Sequence, residues 1–246
     1  MIKLTRPAKP TELDAETQKK LTDQFKADKK KTVWKQDWIT GPLLKMSYNK
    51  CAFSEMMLME EGKYMQVEHF HPKSKYPDEV VEWNNLLPIC NFCNTAKGEY
   101  DTVRNPLVDP TVDNPKNFFY IKRGRLWPKG TGKTKKKAQL TIEQYKLNDY
   151  QQLAKVRRDL ERDIEGRLAD IRQLIDVDSK FNYARNRLRN LLKRCNRESS
   201  YSAVRCTFVL ASEDYSYIKA KITEHNAWSA AFQGYEQEML FCALPA

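Results

Sequence analysis

The chain reads Val67-Glu68-His69-Phe70-His71-Pro72-Lys73-Ser74-Lys75 in its most informative stretch. Three further pieces stand around it: Cys51-Ala52-Phe53-Ser54 before it, then Trp83-Asn84-Asn85-Leu86 and Cys90-Asn91-Phe92-Cys93-Asn94-Thr95-Ala96-Lys97-Gly98. A Glu-His pair alone is typical of a surface ion pair, and asparagine is common in turns. Together, however, the four pieces supply carboxylate, imidazole, amide and thiol groups within one short segment. Their order and spacing indicate a metal-dependent catalytic site.

The residue types in this segment suit the hydrolysis of a phosphodiester bond. That reaction needs a base to deprotonate water and positive charge beside the phosphate and the departing oxygen. His69 is the natural base, and the oxygen donors Glu68 and Asn94 suit a catalytic Mg²⁺ or Mn²⁺. Neighbouring side chains of a strand point to opposite faces, so we expect the strand to end or bulge at His69, before Pro72.

The four pieces resemble the HNH endonuclease family, whose catalytic core is a ββα-metal fold. The resemblance covers about a fifth of the chain. It implies that His69 is the general base, that Glu68 and Asn94 are metal ligands, and that Asn85 orders the loop at the family's Asn-Leu step. Glu68 departs from the commoner aspartate, which leaves its distance to the metal open.

Four neighbouring residues are further candidates. His71 lies two residues beyond His69, on the same face of an extended strand, and we expect it to contact the scissile phosphate or to bind the metal. Lys97 lies one turn beyond Asn94 on the expected helix, where it would meet a phosphate. Lys73 and Lys75 either contact nucleic acid or belong to an ordinary solvated loop.

The cysteines of the segment form an incomplete metal site. The resemblance implies two Cys-x-x-Cys knuckles around a structural zinc, but Ser54 replaces the fourth thiolate. Cys51, Cys90 and Cys93 therefore either bind zinc with Glu55, a histidine or water as the fourth ligand, or form a hydrogen-bonded cluster without metal. The other cysteines show no ligand spacing and are expected in the core: Cys195, Cys206 and Cys242.

The flanking segments resemble the PtuB-type HNH subunits of Septu and retron-associated anti-phage systems. The similarity lies in the opening Met1-Ile2-Lys3-Leu4, the proline-rich lead-in and the phrase Thr141-Ile142-Glu143-Gln144-Tyr145-Lys146-Leu147-Asn148. It implies the effector of a defence complex, controlled by an ABC- or SMC-type ATPase subunit that is PtuA-like. A retron reverse transcriptase with its RNA and DNA is a further candidate partner.

The net charge of +11 indicates nucleic acid as a partner. Residues 121–140 contain eight Lys or Arg residues and no acid. Such a segment binds phosphates by releasing counterions, and Tyr120 and Trp127 would add stacking on a single strand. The alternative is a flexible basic loop at residues 130–137. The candidate contacts are Lys122, Arg123, Arg125, Lys133, Lys135, Lys136 and Lys137.

The sequence carries no signal for a membrane or for export. No apolar run approaches about 18 residues, and the first residues lack the apolar stretch of a signal peptide. Six cysteines in a long chain of this kind are typical of reduced thiols. We therefore expect a cytoplasmic protein that does not enter a membrane.

The expected fold class is α+β, with a ββα-metal core embedded in a mostly helical chain. We expect a helical docking segment over residues 1–48, with a helix from about Thr11, and the nuclease core over 49–105, with a helix from about Cys90 to Gly98. A basic loop and hairpin should cover 106–140, and a helical region 141–246.

The carboxy-terminal region has the apolar periodicity of a helical bundle. Apolar residues recur at steps of three and four on a helix of about 28 residues, which predicts one buried stripe. Later helices are expected around residues 181–192, 201–210 and 215–232. The stripe comprises Leu153, Val156, Leu160, Ile164, Leu168, Ile171 and Leu174.

Two classes of function fit these patterns. The first is an HNH endonuclease acting on DNA or on RNA, including transfer RNA, either within a defence complex or as a stand-alone enzyme. The second is a binding module, in which an altered HNH core holds nucleic acid without cutting it. Glu68, His69 and Asn94 together favour the enzyme, because a pure binder needs no base and metal ligands in one place.

Overall fold

The computed structural model of the chain describes residues 1–59 and 64–246. They form two compact units. The first unit contains Lys3–Asn114 and Gly130–Leu147, and the second contains Pro115–Lys129 and Asn148–Ala246. The basic segment at residues 121–140 is therefore divided, because its first part belongs to the second unit and its last part to the first.

The first unit begins with two helices, α1 (Ala15–Ala27) and α2 (Asp37–Met46). Helix α1 begins at Ala15 rather than near Thr11. The reason is that Asp14 caps the helix, since its Oδ1 accepts a hydrogen bond from the Thr17 amide at 2.7 Å. The sequence therefore predicted this helix correctly but placed its start too early.

A small antiparallel sheet and a helix follow in the first unit. Strand β1 (Gln66–His69) pairs with β2 (Leu86–Ile89), and helix α3 (Asn91–Lys97) comes directly after β2. The bounds of α3 confirm the helix predicted for the second Cys-x-x-Cys segment. Strand β1 ends at His69, which confirms the expected strand end.

Helix α4 (Gly132–Gln144) completes the first unit and replaces the loop considered for residues 130–137. Lysine, alanine, glutamine and leucine all favour helix, and Ala138 and Ile142 bury one side of it. The loop prediction was wrong because it relied on the glycines and the charge run, whereas the apolar residues that anchor the helix lie at its carboxyl end.

The second unit combines a hairpin with a helical bundle. Strands β3 (Phe119–Lys122) and β4 (Arg125–Pro128) form the predicted hairpin, and a π-helical turn, Tyr150–Ala154, leads into helix α5 (Lys155–Ile175). Four helices follow: α6 (Phe181–Leu192), α7 (Ser202–Leu210), α8 (Glu213–Glu224) and α9 (Ala230–Cys242). Helix α5 packs against α6, α7 and α8, and α9 packs against α6 and α7, as expected for a bundle.

The predicted apolar stripe of α5 is only partly buried. Ile164, Leu168 and Ile171 are buried as expected, but Val156 is exposed and Arg157 is buried in its place. A π-helical turn contains more residues than an α-helical turn and so rotates the face that follows. The regular apolar spacing predicted from the sequence therefore does not hold at the amino-terminal end of α5.

The predicted helix at residues 215–232 is two helices, α8 and α9. Asn226 adopts a left-handed conformation with φ 55°, which ends a helix and favours asparagine or glycine. Taken together, the described elements are mostly helical with two small antiparallel sheets, an α+β architecture. Among the described helices, none combines the length and apolar character needed to span a bilayer.

Candidate active site and cysteine cluster

A cleft of about 620 Å³ lies beside β1 and α3 in the first unit. Glu68 and His69 from β1 line it together with Asn94 and Lys97 from α3. Lys73, from the loop after β1, also lines the cleft. The pairing of β1 with β2 and the immediate start of α3 thus bring together candidates that are far apart in the sequence.

Glu68 and Lys97 form a buried ion pair, with Oε1 and Nζ 2.5 Å apart. The ammonium of Lys97 is therefore the partner of this buried carboxylate oxygen. Burial raises the pKa of Glu68 to about 7, with Lys97 acting in the opposite direction. Lys97 also donates to the carbonyl oxygen of His69 at 2.7 Å. Lys97 is therefore occupied within the protein, contrary to its expected exposure to a phosphate.

His69 is held in one orientation by its neighbours. Its Nε2 lies 2.9 Å from the carbonyl oxygen of Val80, and Trp34 meets its ring edge-on, with the centroids 4.5 Å apart. Since a carbonyl only accepts, Nε2 carries the proton and Nδ1 keeps its lone pair. No described residue hydrogen-bonds Nδ1. Burial, helped by the charge of Lys73, lowers the pKa of His69 to about 3, so the ring is neutral at pH 7.

The amide of Asn94 is oriented by Gln66. Nδ2 of Asn94 donates to Oε1 of Gln66 at 2.6 Å, which leaves Oδ1 of Asn94 without a hydrogen bond from any described residue. Sequence reasoning missed Gln66. The available signal was its position two residues before Glu68, which places both side chains on one face of β1.

Asn85 ties the loop after β1 to the start of β2. Its Oδ1 accepts a hydrogen bond from the His71 amide at 2.6 Å, and its Nδ2 donates to the carbonyl oxygens of His71 and Glu79, both at 3.1 Å. The His71 ring does not line the cleft, and its Nδ1 lies 2.6 Å from Oε2 of Glu79. The expected shared face with His69 is absent, because β1 ends at His69 and the alternation of faces stops there.

The two lysines of the loop after β1 differ in their surroundings. Lys73 is half-buried, and its Nζ lies 5.2 Å from the centre of the Trp34 ring. Lys75 lies 3.6 Å from a carboxylate oxygen of Asp101 and does not line the cleft. Lys73 is therefore the better placed of the two to meet a ligand in the cleft.

The sulfur atoms of Cys51, Cys90 and Cys93 all lie within 4.8 Å of one another, and all three residues are buried. In the described part of the chain, no other group of three or more cysteine, histidine or carboxylate side chains comes this close. The Oγ of Ser54 lies 3.7 Å from the Sγ of Cys90. This buried cysteine triad can bind a metal ion.

The expected fourth ligands other than water are engaged elsewhere. The Glu55 carboxylate lies 2.7 Å from the Met1 amino nitrogen and 3.4 Å from Nζ of Lys50, and no described histidine joins the triad. Burial opposes ionisation of Cys51, but hydrogen bonds from Cys90, Cys93 and Ser54 hold its pKa well below the usual value. A lowered pKa favours the thiolate, the form of cysteine that binds metals.

The remaining predicted contacts and cysteines lie outside the cleft. Lys122, Arg123 and Arg125 are exposed on the β3–β4 hairpin, whereas Lys133, Lys135 and Lys136 are exposed on α4. Lys137 is less exposed because it pairs with Asp113 at 2.7 Å. The other cysteines are buried in the second unit, as expected: Cys195, Cys206 and Cys242.

Comparison with known proteins relates the whole chain to Septu proteins. It is 35% identical over 245 residues to the Septu protein PtuB of Bacillus thuringiensis, covering 95% of this chain and 91% of that protein. It is 26% identical over 211 residues to the Septu protein PtuB of Bacillus mycoides (strain KBAB4), covering 65% and 68%. No family model matches the chain.

Proposed function

The chain belongs to the PtuB family of Septu proteins, and on this premise we propose that it is a metal-dependent HNH endonuclease that hydrolyses phosphodiester bonds in DNA or RNA. The observation that carries the proposal is that Glu68, His69 and Asn94 line one cleft. A neutral histidine with an open ring nitrogen, beside two oxygen donors, suits hydrolysis better than binding alone.

His69 acts as the general base. Its Nε2–H donates a hydrogen bond to the carbonyl oxygen of Val80, which fixes the tautomer. Nδ1 is then left to accept a proton from water. A histidine with a pKa of about 3 is a weak base. Burial is the main cause of this low pKa and the charge of Lys73 the second, and the negative charge of a bound phosphate would oppose the contribution of Lys73.

The donor set suits a hard divalent cation, Mg²⁺ or Mn²⁺. Glu68 offers a carboxylate oxygen in the cleft, and Oδ1 of Asn94 is left open by the contact with Gln66. When bound by these two oxygens, the cation would supply the positive charge that lowers the cost of the developing negative charge on phosphate. Gln66 keeps the Asn94 amide in the orientation that presents its oxygen.

Lys97 serves as an internal counter-ion for Glu68. A carboxylate as buried as Glu68 tends to take up a proton near neutral pH, and a positive neighbour opposes that tendency. The ammonium lies 2.5 Å from Glu68 and also binds the carbonyl oxygen of His69. Lys97 is therefore a positioning residue for both catalytic candidates of β1.

The cysteine triad is proposed to hold a structural Zn²⁺. Zinc prefers thiolates and takes four ligands in a structural site. Cys51, Cys90 and Cys93 supply three, and Ser54, in the position of the missing cysteine, supplies the fourth through its hydroxyl or a water. Such a site would tie the Cys51 loop to the start of α3 and so support the helix that carries Asn94.

The nuclease is proposed to be the effector of an anti-phage defence complex, working with a PtuA-like ATPase of the ABC or SMC type. The support is the family of the chain and the lack of a nucleotide-binding loop in its sequence. A free nuclease with a net charge of +11 would endanger the nucleic acid of its own host, which favours control by a partner subunit.

A cleavage panel tests the proposal. The purified chain is incubated with duplex DNA, single-stranded DNA and RNA, including transfer RNA, in Mg²⁺ or Mn²⁺, with and without the ATPase and ATP. We expect metal-dependent cleavage of at least one substrate, altered by the partner. Binding without any cleavage would indicate the non-cleaving module instead, and cleavage indifferent to partner and ATP would indicate a stand-alone nuclease.

A further inference from the structure

The β3–β4 hairpin of the second unit has two unlike faces. Opposed residues of an antiparallel pair share a face, and faces alternate along each strand. Tyr120 is opposite Trp127, and Lys122 is opposite Arg125, so these four side chains share one face. The other face is buried and carries Phe119, Ile121 and Leu126.

Two aromatic rings lie side by side on the outer face. The centroids of Tyr120 and Trp127 are 6.4 Å apart, and their planes are inclined by only 19°. Trp127 remains 44% exposed, although tryptophan is usually well buried. The pair therefore presents a nearly parallel apolar surface that the second unit itself does not cover.

Cationic residues lie at the turn end of the same hairpin. Lys122, Arg123 and Arg125 are exposed, and none of them forms an ion pair with a described residue. Arg158 of α5 is exposed beside the tip, since its Cβ lies 3.1 Å from where a Cβ on Gly124 would stand. Burial raises the pKa of Glu161 and the positive charge of Arg123 opposes that shift, but the two side chains form no ion pair.

The tip of the hairpin is held rigidly. Arg123 and Gly124 both have positive φ, 50° and 70°, as in a tight two-residue turn. A Cβ on Gly124 would lie 2.9 Å from backbone atoms of Ala154 and Arg158, so only glycine allows the tip to pack this closely on the start of α5.

Backbone groups on the outer edges of both strands also form hydrogen bonds within the second unit. The amide of Ile121 donates to the carbonyl oxygen of Pro245 at 3.0 Å. The side chain of Asn148 bonds both the amide and the carbonyl oxygen of Leu126, each at 2.8 Å. These contacts disfavour the addition of a partner strand at this hairpin, so a ligand would bind to the outer face instead.

We propose that the outer face of the hairpin binds single-stranded nucleic acid, with an unpaired base stacked on Trp127 and phosphates at Lys122, Arg123 and Arg125. This inference deepens the proposed function, because it takes nucleic acid as the ligand and assigns its strand state. Aromatic rings beside unpaired cations match the bases and phosphates of a single strand. In a duplex, by contrast, the faces of the bases are covered by their neighbours.

The test compares single-strand with duplex binding in EDTA, which prevents cleavage. Fluorescence anisotropy is measured for labelled oligo-dT, oligo-rU and a duplex of equal length, using the full chain. We expect Trp127→Ala to weaken single-strand binding about five- to a hundredfold, to leave duplex binding nearly unchanged, and to be largely rescued by Trp127→Phe. Tyr183→Ala removes an exposed aromatic from α6 and serves as the matched control.

The cations provide a second measurement that does not depend on the tryptophan. Replacing Lys122, Arg123 and Arg125 by Ser should flatten the log-log salt dependence of single-strand binding by up to about two. Parental single-strand affinity in Trp127→Ala, or an equal loss for the duplex, would overturn the proposal. So would unchanged oligonucleotide binding with loss of ATPase co-purification, which would make the face a protein interface. The assay measures binding without cleavage, so its outcome does not depend on whether the protein is an active nuclease.

Discussion

The cleft and helix α4 contain lysines that look alike in the sequence but lie in opposite environments. Lys97 is buried against Glu68 and the His69 carbonyl, whereas Lys133, Lys135 and Lys136 are exposed. A buried charge is stable only with its partners, while an exposed charge interacts mainly with solvent and ions. Lys97 is therefore part of the buried structure of the cleft, whereas the α4 lysines are available to solvent and ions.

The largest expected effect is on rate and arises in the cleft. His69→Ala removes the general base, and we expect cleavage to slow by about 10²–10⁴-fold while substrate binding persists. The matched control is His71→Ala, whose ring lies outside the cleft and should change the rate less. Single-turnover cleavage at saturating substrate measures both. Parental rates in His69→Ala, or equal losses in the two variants, would show that His69 is not the base.

The next prediction concerns the stability of the fold and compares a buried lysine with an exposed one. Lys97→Met leaves Glu68 buried without its partner, and we expect the free energy of unfolding to fall by about 3–5 kcal/mol. Lys133→Met, on the exposed face of α4, should change it by less than about 0.5 kcal/mol. Urea unfolding at pH 7 measures both variants. Similar values for the two would contradict the structural role given to Lys97.

A smaller effect, on metal affinity, is expected at the cysteine triad, which is also buried. Ser54→Cys restores the fourth thiol, and we expect zinc to bind at least about tenfold more tightly, since even outer-shell partners are worth 10- to 100-fold. Metal content after dialysis against a competing chelator measures this, with Cys206→Ala as a control far from the triad in sequence. A metal-free Ser54→Cys protein would favour the hydrogen-bonded cluster without zinc.

The smallest effect is expected on α4 and should leave chemistry untouched. Replacing Lys133, Lys135 and Lys136 by Ser should flatten the log-log salt dependence of duplex binding by up to about two to three, with the saturated single-turnover rate unchanged. Lys137→Ser should add little, because Lys137 already pairs with Asp113. An unchanged salt slope would make α4 a solvated helix without a role in binding.

The sequence predicted those parts of the molecule that depend on local spacing. The strand end at His69, the helix after Cys90 and the helix at residues 181–192 all follow from motif order or apolar period. The closeness of Cys51 to Cys90 and Cys93 could also be anticipated, because paired knuckles have a recognisable spacing. The strand end and the two helices depend on residues that are near one another in the chain, whereas the cysteine triad depends on the spacing between two short motifs.

Features that depend on tertiary burial could not be predicted. Nothing local distinguishes Lys97 from an exposed lysine, because its burial depends on β1 lying beside α3. Trp34 comes from the segment between α1 and α2, and only the fold brings it to the His69 ring. The rotated face of α5 likewise depends on a π-helical turn that a simple apolar period does not reveal.

The most direct test of the central claim is cleavage by one metal-stripped preparation, assayed in parallel with EDTA and with added Mg²⁺ or Mn²⁺, in the presence of the ATPase partner. We expect no cleavage in EDTA, recovery when Mg²⁺ or Mn²⁺ is added together with the Zn²⁺ proposed for the cysteine triad, and no recovery in Glu68→Ala, since Glu68 is proposed to supply a ligand oxygen. Undiminished cutting by the metal-stripped protein in EDTA would contradict the proposed mechanism.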